Sequence, residues 1–214
     1  MLPDLLAVAV LVFAVWAAFR LLRVVRRRLA AGDARAVAEG WTVTKLPWGG
    51  RVYRDLMKVT DALEKLPYVD TDRVGVMGWS YGGYMTMWMQ GHTDRYQCIA
   101  SMMGVYDLEA MYGATEELWF PEHDLKGTPW KSDEYAKWSP VKFVEHFKTP
   151  ALVVTGEKDY RVPYTQSLEF FTALQRQDVP SRLLLFPDEG HWILKPQNSK
   201  AWYGETLAWL KKHL

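Results

Sequence analysis

The feature that most constrains the fold of this chain is a short apolar run that leads into a glycine-rich turn around a serine. Residues 73–84 read RVGVMGWSYGGY and contain the pattern G-x-S-x-G around Ser80. The run 73–77 predicts a short buried strand, and the residues from 81 to 91 predict a helix. A strand, a sharp turn with a serine at its apex and a helix together make up a nucleophile elbow.

The glycines of this turn have a steric explanation. We expect side chains at Gly78, Gly82 and Gly83 to collide with the neighbouring strand and helix, because the turn brings the backbones close together. The Oγ of Ser80 would then stand above the sheet at a helix N-terminus, where the helix dipole favours developing negative charge. The pattern alone also fits an ordinary glycine-rich turn, so the distinction depends on residues elsewhere in the chain.

Two later loops supply the partners that an activated serine needs. Asp159 follows the apolar strand predicted at 151–155, and His191 follows the strand predicted at 182–186. The carboxyl ends of parallel strands meet at one edge of a sheet, which is where open α/β sheets bind their ligands. We therefore predict Ser80 as nucleophile, His191 as general base and Asp159 as the carboxylate that orients the imidazole.

Each of these residues also has an ordinary structural interpretation. His191 could be a surface-loop histidine, and Asp159 could be a turn former. Asp188 is a rival carboxylate, although its position three residues before the histidine favours a turn role. The coincidence of the three residue types at three predicted strand ends favours the triad.

Other residues near these positions are candidates for the oxyanion hole and the substrate pocket. The backbone N–H of Tyr81 is predicted to be one oxyanion donor, and the sequence shows no loop that would supply the second. Trp79 and Trp192, which flank the serine and the histidine, either form a wall of the pocket or simply pack. Arg161 either binds a substrate carboxylate or forms a structural ion pair.

Charge and composition exclude several other classes of function. The chain has 214 residues, with 26 Lys and Arg against 25 Asp and Glu, and a formal net charge of +1. This near balance gives no support for nucleic-acid binding. No Cys/His cluster has metal-ligand spacing, so we expect no metal or other cofactor. The lone Cys98 excludes an internal disulfide and is expected to be a buried thiol.

The alternation of predicted strands and helices indicates the fold class. Helices predicted at 51–66, 165–177 and 198–213 alternate with the strands, which predicts an α/β-hydrolase-like, mostly parallel sheet with helices on both faces. Residues 106–148 are less regular and rich in Trp and Pro. They either cover the active site and shape the substrate pocket, or form ordinary surface helices and turns.

The N-terminal stretch has a different character from the rest of the chain. Residues 5–19 are uncharged and apolar, and arginines follow between 20 and 28. A fifteen-residue helix is about 22 Å long, short of the roughly 30 Å hydrocarbon core unless flanking residues extend it. Residues 5–30 could thus be a membrane anchor with a cytoplasmic arginine cluster, a helix packed on the domain or on a second subunit, or non-native sequence from a shifted gene start.

These observations divide the chain into two regions. Residues 1–36 would be the apolar and Arg-rich N-terminal helix, and residues 37–214 the catalytic domain. We expect the protein in the cytoplasm or at the cytoplasmic face of a membrane. Membrane association and homo-oligomerisation through the N-terminal helix both remain open.

The motifs resemble the C-terminal catalytic domain of the prolyl oligopeptidase family, and most of all its acylaminoacyl-peptidase and dipeptidyl-peptidase-like branch. The resemblance covers roughly residues 48–213. It is carried by the segments WGGRVYRDL (48–56), VDTDRVGVMGWSYGGYMT (69–86), GTPW (127–130), SP (139–140), GEKDYRVP (156–163) and FPDEGH (186–191). It implies an α/β-hydrolase fold with Ser80, Asp159 and His191 as nucleophile, acid and base.

The sequence also departs from the family pattern. The β-propeller, the first strands of the sheet and the His-Gly-Gly-type loop of the family have no evident counterpart, so we expect a sheet trimmed on its N-terminal side. The expected function is a serine hydrolase that acts through an acyl-enzyme on small esters or short acyl-peptides. A strict acylaminoacyl or dipeptidyl peptidase is the first alternative, and an inactive hydrolase-like binding module is the second.

Overall fold

The structure is a computed structural model that describes residues 48–214. The predictions for the apolar helix at 5–30, for the N-terminal region that ends at residue 36 and for the missing first strands concern earlier residues and lie outside this range. From residue 48 onward, no helix combines the length and the apolar character needed to cross a membrane.

Strands and helices alternate along the described chain. The strands are β1 (Gly75–Trp79), β2 (Cys98–Met102), β3 (Ala151–Gly156) and β4 (Ser181–Phe186). The helices are α1 (Arg51–Leu63), α2 (Tyr81–Gln90), α3 (Leu108–Tyr112), α4 (Trp119–Asp124), α5 (Glu134–Trp138), α6 (Thr165–Arg176) and α7 (Pro196–His213), with a 3₁₀ helix at Pro140–His146.

The described strands form one parallel sheet in the order β1-β2-β3-β4. The register pairs Met77 with Ala100, Ala100 with Leu152 and Leu152 with Arg182. Each connection therefore moves one position across the sheet, and all the strands end at the same edge. This confirms the predicted parallel sheet.

Two hydrophobic clusters cover the two faces of the sheet. One cluster joins Ile99 and Val153 to Phe170 of α6. The other joins Leu152, whose side chain points to the opposite face from that of Val153, to Trp209 of α7. Because alternate side chains of a strand point to opposite faces, helices cover both sides, as the sequence predicts.

The irregular region between β2 and β3 consists of short helices held by specific polar contacts. The side chain of Asp107 caps α3 by accepting hydrogen bonds from the backbone N–H groups of Glu109 and Ala110. The side-chain oxygen of Gln166 accepts hydrogen bonds from the backbone N–H groups of Tyr106 and Asp107, at 2.9 and 2.8 Å. These contacts fix the start of the region against α6.

Candidate active site

Ser80 occupies the sharp turn between β1 and α2. Its backbone has φ 58° and ψ −118°, a left-handed conformation that a non-glycine residue rarely adopts. Two hydrogen bonds hold it there: the N–H of Ser80 donates to the carbonyl of Met102, and its own carbonyl accepts from the N–H of Tyr84, both at 2.9 Å. Strained backbone at the apex of a strand–helix turn is typical of a nucleophile elbow.

Two of the three glycines in this turn are required by close backbone contacts. A Cβ at Gly78 would lie 2.2 Å from the carbonyl oxygen of Gly82, and a Cβ at Gly83 would lie 2.4 Å from that of Met102. The expectation for Gly82 was wrong, because a Cβ there would have no described atom within 4 Å. A side chain at Gly82 would enter open space, whereas side chains at the other two would enter the junction of strand and helix.

His191 lies between Ser80 and Asp159, the two residues that the sequence predicts as its partners. Its Nε2 is 2.9 Å from the Oγ of Ser80, and its Nδ1 is 2.7 Å from Oδ2 of Asp159. The Asp159 side chain is fully buried and that of His191 is 8% exposed. Oδ1 of Asp159 accepts the backbone N–H groups of Arg161 and Val162, so both carboxylate oxygens are used.

The rival carboxylate Asp188 points away from the histidine. It forms an ion pair with Lys195 and accepts a hydrogen bond from the side-chain amide of Asn198 at 2.8 Å. It therefore joins the loop after β4 to the start of α7.

A buried carboxylate that the sequence analysis did not identify, Glu189, organises the loop that carries His191. Its side chain accepts hydrogen bonds from the backbone N–H groups of Leu194 and Lys195 and from the amide of Asn198. Burial opposes the charge of Glu189, but these hydrogen bonds outweigh it and lower the pKa of the carboxyl below its ordinary value of 4.5. Nothing in the local sequence distinguishes Glu189 from an ordinary turn residue.

The loops after β3 and β4 touch directly, which brings Asp159 and His191 together. A Cβ at Gly156 would lie 2.3 Å from the carbonyl oxygen of Gly190. The N–H of Lys158 donates to the carbonyl of Glu189 at 2.9 Å. Glycine at the end of β3 is thus what allows Asp159 to approach His191.

A pocket of about 230 Å³ opens beside Ser80. Much of its wall is aromatic: the ring of Trp48 stacks on that of Phe120, with centroids 6.0 Å apart and planes 13° from parallel. The lining residues are Trp48, Ser80, Tyr81, Val105, Glu117, Trp119, Phe120, Asp124, Arg161 and Val162. Three of the six residues of α4, together with Glu117 just before it, therefore face the candidate site.

Tyr81 combines two features at this pocket. It is the first residue of α2, so its backbone N–H has no partner inside the helix. Its hydroxyl donates to the carbonyl of Trp48 at 2.6 Å. Burial, with a further contribution from Asp124, raises the pKa of Tyr81 well above its ordinary value, so the hydroxyl stays protonated.

Arg161 lies at the pocket and is also paired. Its Nε is 3.1 Å from Oε1 of Glu117, and both side chains are partly exposed. The structural ion pair that the sequence analysis considered is therefore present, and contact of Arg161 with a substrate carboxylate stays a prediction.

Trp79 and Trp192 do not line this pocket. Their rings stack on each other with centroids 5.6 Å apart and planes 13° from parallel, and Trp202 of α7 contacts Trp79 edge-on. The indole N–H of Trp79 donates to the backbone carbonyl of His191 at 2.9 Å. These contacts favour the packing alternative for both tryptophans.

The residues from 48 to 214 contain no group of three or more His, Cys, Asp or Glu side chains that could hold a metal ion. Cys98 is buried, and burial raises the pKa of its thiol to about 11.

The parallel sheet, the serine elbow and the two loops at the carboxyl edge define an α/β-hydrolase fold. Among solved structures, the Pyrococcus horikoshii acylaminoacyl peptidase superposes with a TM-score of 0.73 at 26% identity, over 76% of this chain and 28% of that one. A Mycobacterium tuberculosis puromycin-hydrolyzing peptidase superposes with a TM-score of 0.70 at 26% identity, over 75% of this chain and 25% of that one.

The chain belongs to the prolyl oligopeptidase family of serine peptidases, whose family model matches residues 39–214. The dipeptidyl-peptidase 5 of Porphyromonas gingivalis is 40% identical over 174 residues, which are 78% of this chain and 25% of that protein. The dipeptidyl-peptidase 5 of Schizosaccharomyces pombe is 40% identical over 169 residues, 77% of this chain and 25% of that protein. The chain thus spans about a quarter of these relatives, and the family resemblance inferred from the motifs is confirmed.

Proposed function

We propose that this chain is a serine hydrolase that cleaves small esters and short peptides through an acyl-enzyme on Ser80. The observation that carries the proposal is the unbroken hydrogen-bonded series from Ser80 through His191 to Asp159. With a proton on Nδ1, His191 donates to Asp159 and leaves Nε2 free to accept the proton of the serine. The names of the relatives, dipeptidyl-peptidase and acylaminoacyl peptidase, support an acyl-transfer reaction on peptides.

The first half of the reaction forms the acyl-enzyme. The Oγ of Ser80 attacks the carbonyl carbon of the substrate while its proton passes to Nε2 of His191. The bond to the leaving amine or alcohol then breaks, and the leaving group takes that proton from the imidazolium. Asp159 stabilises the imidazolium between these two steps and keeps the proton on Nδ1.

The second half reverses the same steps with water as the nucleophile. Water attacks the ester carbonyl and gives a proton to Nε2 of His191. The bond between Oγ and the acyl carbon breaks, and the imidazolium returns the proton to Ser80. The products are the free acid and the regenerated enzyme, with no change in oxidation state.

Charge development on the carbonyl oxygen decides which substrates react fastest. The backbone N–H of Tyr81 is the proposed donor to this oxyanion. A second donor is not evident in the sequence, and loss of one donor typically costs about 10²–10³-fold in rate. Esters have better leaving groups than amides, so we expect activated esters to react faster than peptides.

The size and lining of the pocket favour a small apolar group on the acyl side of the cleaved bond. Pockets for drug-sized ligands usually measure about 300–1,000 Å³, and the one beside Ser80 measures about 230 Å³. Its Trp48, Val105 and Phe120 walls suit a short aliphatic acyl chain or side chain. Arg161 would contact a polar group of the substrate at the edge of the pocket.

The test is hydrolysis by the full 214-residue chain of short-chain p-nitrophenyl esters, dipeptidyl p-nitroanilides and acyl-amino-acid p-nitroanilides, beside Ser80→Ala. We expect ester hydrolysis that the substitution abolishes, with slower peptide hydrolysis. Dipeptide or acyl-amino-acid turnover without ester turnover would favour the strict peptidase. Folded protein with no turnover on any substrate would contradict the proposal and favour a binding module.

A further inference from the structure

We propose that Trp79 is a positioning residue that holds the loop of His191 at the correct distance from Ser80. Trp79 immediately precedes the serine in the chain, and its indole N–H donates to the backbone carbonyl of His191 at 2.9 Å. The inference rests on the proposed function, since it takes Ser80 and His191 as the reacting pair. Trp79 itself is neither a member of the triad nor one of the residues that line the pocket.

The bond from Trp79 joins the two halves of the candidate site directly. Trp79 ends β1, whereas His191 lies in the loop after β4, at the other side of the described sheet. Within residues 48–214, the backbone of His191 makes no hydrogen bond other than this one. The side chain of Glu189 fixes the loop through residues 194, 195 and 198, and its backbone carbonyl accepts the N–H of Lys158, but neither contact involves His191 itself. The backbone of the base is therefore tied to the residue beside the nucleophile.

Aromatic packing fixes the direction of this indole N–H. The ring of Trp192 stacks on one side of Trp79, and the ring of Trp202 meets it edge-on, with both centroids 5.6 Å away. The ring of Trp192 also contacts that of His191 edge-on, at 5.4 Å. An indole held in this way has few alternative rotamers. Its hydrogen bond therefore fixes the position of the His191 carbonyl.

Small movements of His191 have large effects on proton transfer. The contact between Nε2 and Oγ is 2.9 Å, within the range required of a general base. A displacement of about 1 Å in a positioned group can cost about 10²-fold in rate. Loss of the Trp79 hydrogen bond should therefore lower kcat and leave KM nearly unchanged, because the pocket residues are untouched.

The test compares Trp79→Phe with Trp209→Phe in the full chain. Both substitutions replace an indole by a phenyl ring on the same side of the sheet, but the N–H of Trp209 is buried without a hydrogen-bond partner among the described residues. We expect Trp79→Phe to lower kcat for a short-chain ester about tenfold or more, with KM within about twofold of the wild type. Trp209→Phe should keep the wild-type kcat.

A second variant separates the N–H group from the shape of the ring. Replacement of Trp79 by the isosteric analogue benzothienylalanine keeps the bicyclic ring and removes the donor, and should give the same loss of kcat even if Trp79→Phe fails to fold. Wild-type kcat in the analogue variant, or an equal loss in Trp209→Phe, would overturn the positioning role. If the wild type itself is inactive, it is the proposed function that fails.

Discussion

At the scale of single residues, the candidate site depends on the hydrogen bonds that each buried carboxylate accepts. Asp159 is fully buried, and both its oxygens accept hydrogen bonds, one of them from His191. Glu189, two residues before His191, is almost as deeply buried and is satisfied by backbone and amide N–H groups instead. The carboxylate of Asp159 faces His191, and that of Glu189 supports the loop that carries it.

Glu189→Gln should weaken the native state more than it weakens the chemistry. The glutamine amide would face N–H donors and leave at least one of them unsatisfied, at a cost of about 1–3 kcal/mol in the free energy of unfolding. Urea unfolding of the wild type and the variant measures this difference. An unchanged unfolding free energy at pH 7 would contradict the assigned role.

The same pair of proteins has a predicted pH dependence. The native pKa of Glu189 is depressed below the ordinary 4.5, so its ionisation stabilises the folded state above that value. This stability is lost as the pH falls through the native pKa, where the carboxylate is protonated. The difference in unfolding free energy between wild type and Glu189→Gln should therefore shrink as the pH falls below the ordinary value of 4.5, and a constant difference would contradict the prediction.

At the scale of elements, the close packing of the elbow requires glycine at the position where helix α2 meets the neighbouring strand. Gly83→Ala would place a Cβ 2.4 Å from the carbonyl oxygen of Met102 and 2.7 Å from the Cα of Gly104. Backbone cannot yield as a flexible side chain does, so we expect a loss of stability of at least about 1–3 kcal/mol. Thermal unfolding or urea unfolding provides the measurement.

Gly82→Ala is the matched control for this prediction. It lies in the same helix, and its Cβ would meet no described atom within 4 Å. Alanine is favoured over glycine in helices by about 1 kcal/mol, so Gly82→Ala should be neutral or stabilising. Equal destabilisation by both variants would contradict the assignment of the steric contact to Gly83.

Helix α4 shapes the pocket through Phe120. Phe120→Ala would remove a ring that stacks on Trp48 and would enlarge the pocket beside Ser80. We expect kcat/KM for hexanoyl relative to acetyl p-nitrophenyl esters to rise several-fold. Trp130→Ala is the control, since Trp130 is 73% exposed and outside the pocket lining. An unchanged preference in Phe120→Ala would show that this pocket does not hold the acyl group.

The strands could be predicted from the sequence, but the role of the region between β2 and β3 could not. A strand buried on both faces is a continuous apolar run, and the run 151–155 accordingly matches β3 to within one residue. The position of α4 depends instead on contacts such as that of Trp48 with Phe120, which are far apart in the chain. The open space at Gly82 and the buried position of Glu189 likewise depend on what other elements place beside them.

At the scale of the whole molecule, the candidate site is assembled from the ends of three strands in one parallel sheet. Ser80 follows β1, Asp159 follows β3 and His191 follows β4, so none of the contacts among them is local in sequence. Strand ends and chain order were sufficient to predict that these three side chains would lie together. The distances between them could come only from the folded sheet.

The measurement that tests the central claim most directly is the rate at which a fluorophosphonate labels Ser80, followed by intact-protein and peptide mass spectrometry. We expect one label per chain at Ser80 in the wild type, no label in Ser80→Ala, and labelling about 10³-fold slower or more in His191→Ala. Folded wild-type protein that stays unlabelled, or a His191→Ala variant labelled at the wild-type rate, would contradict the account of Ser80 as a nucleophile activated by His191.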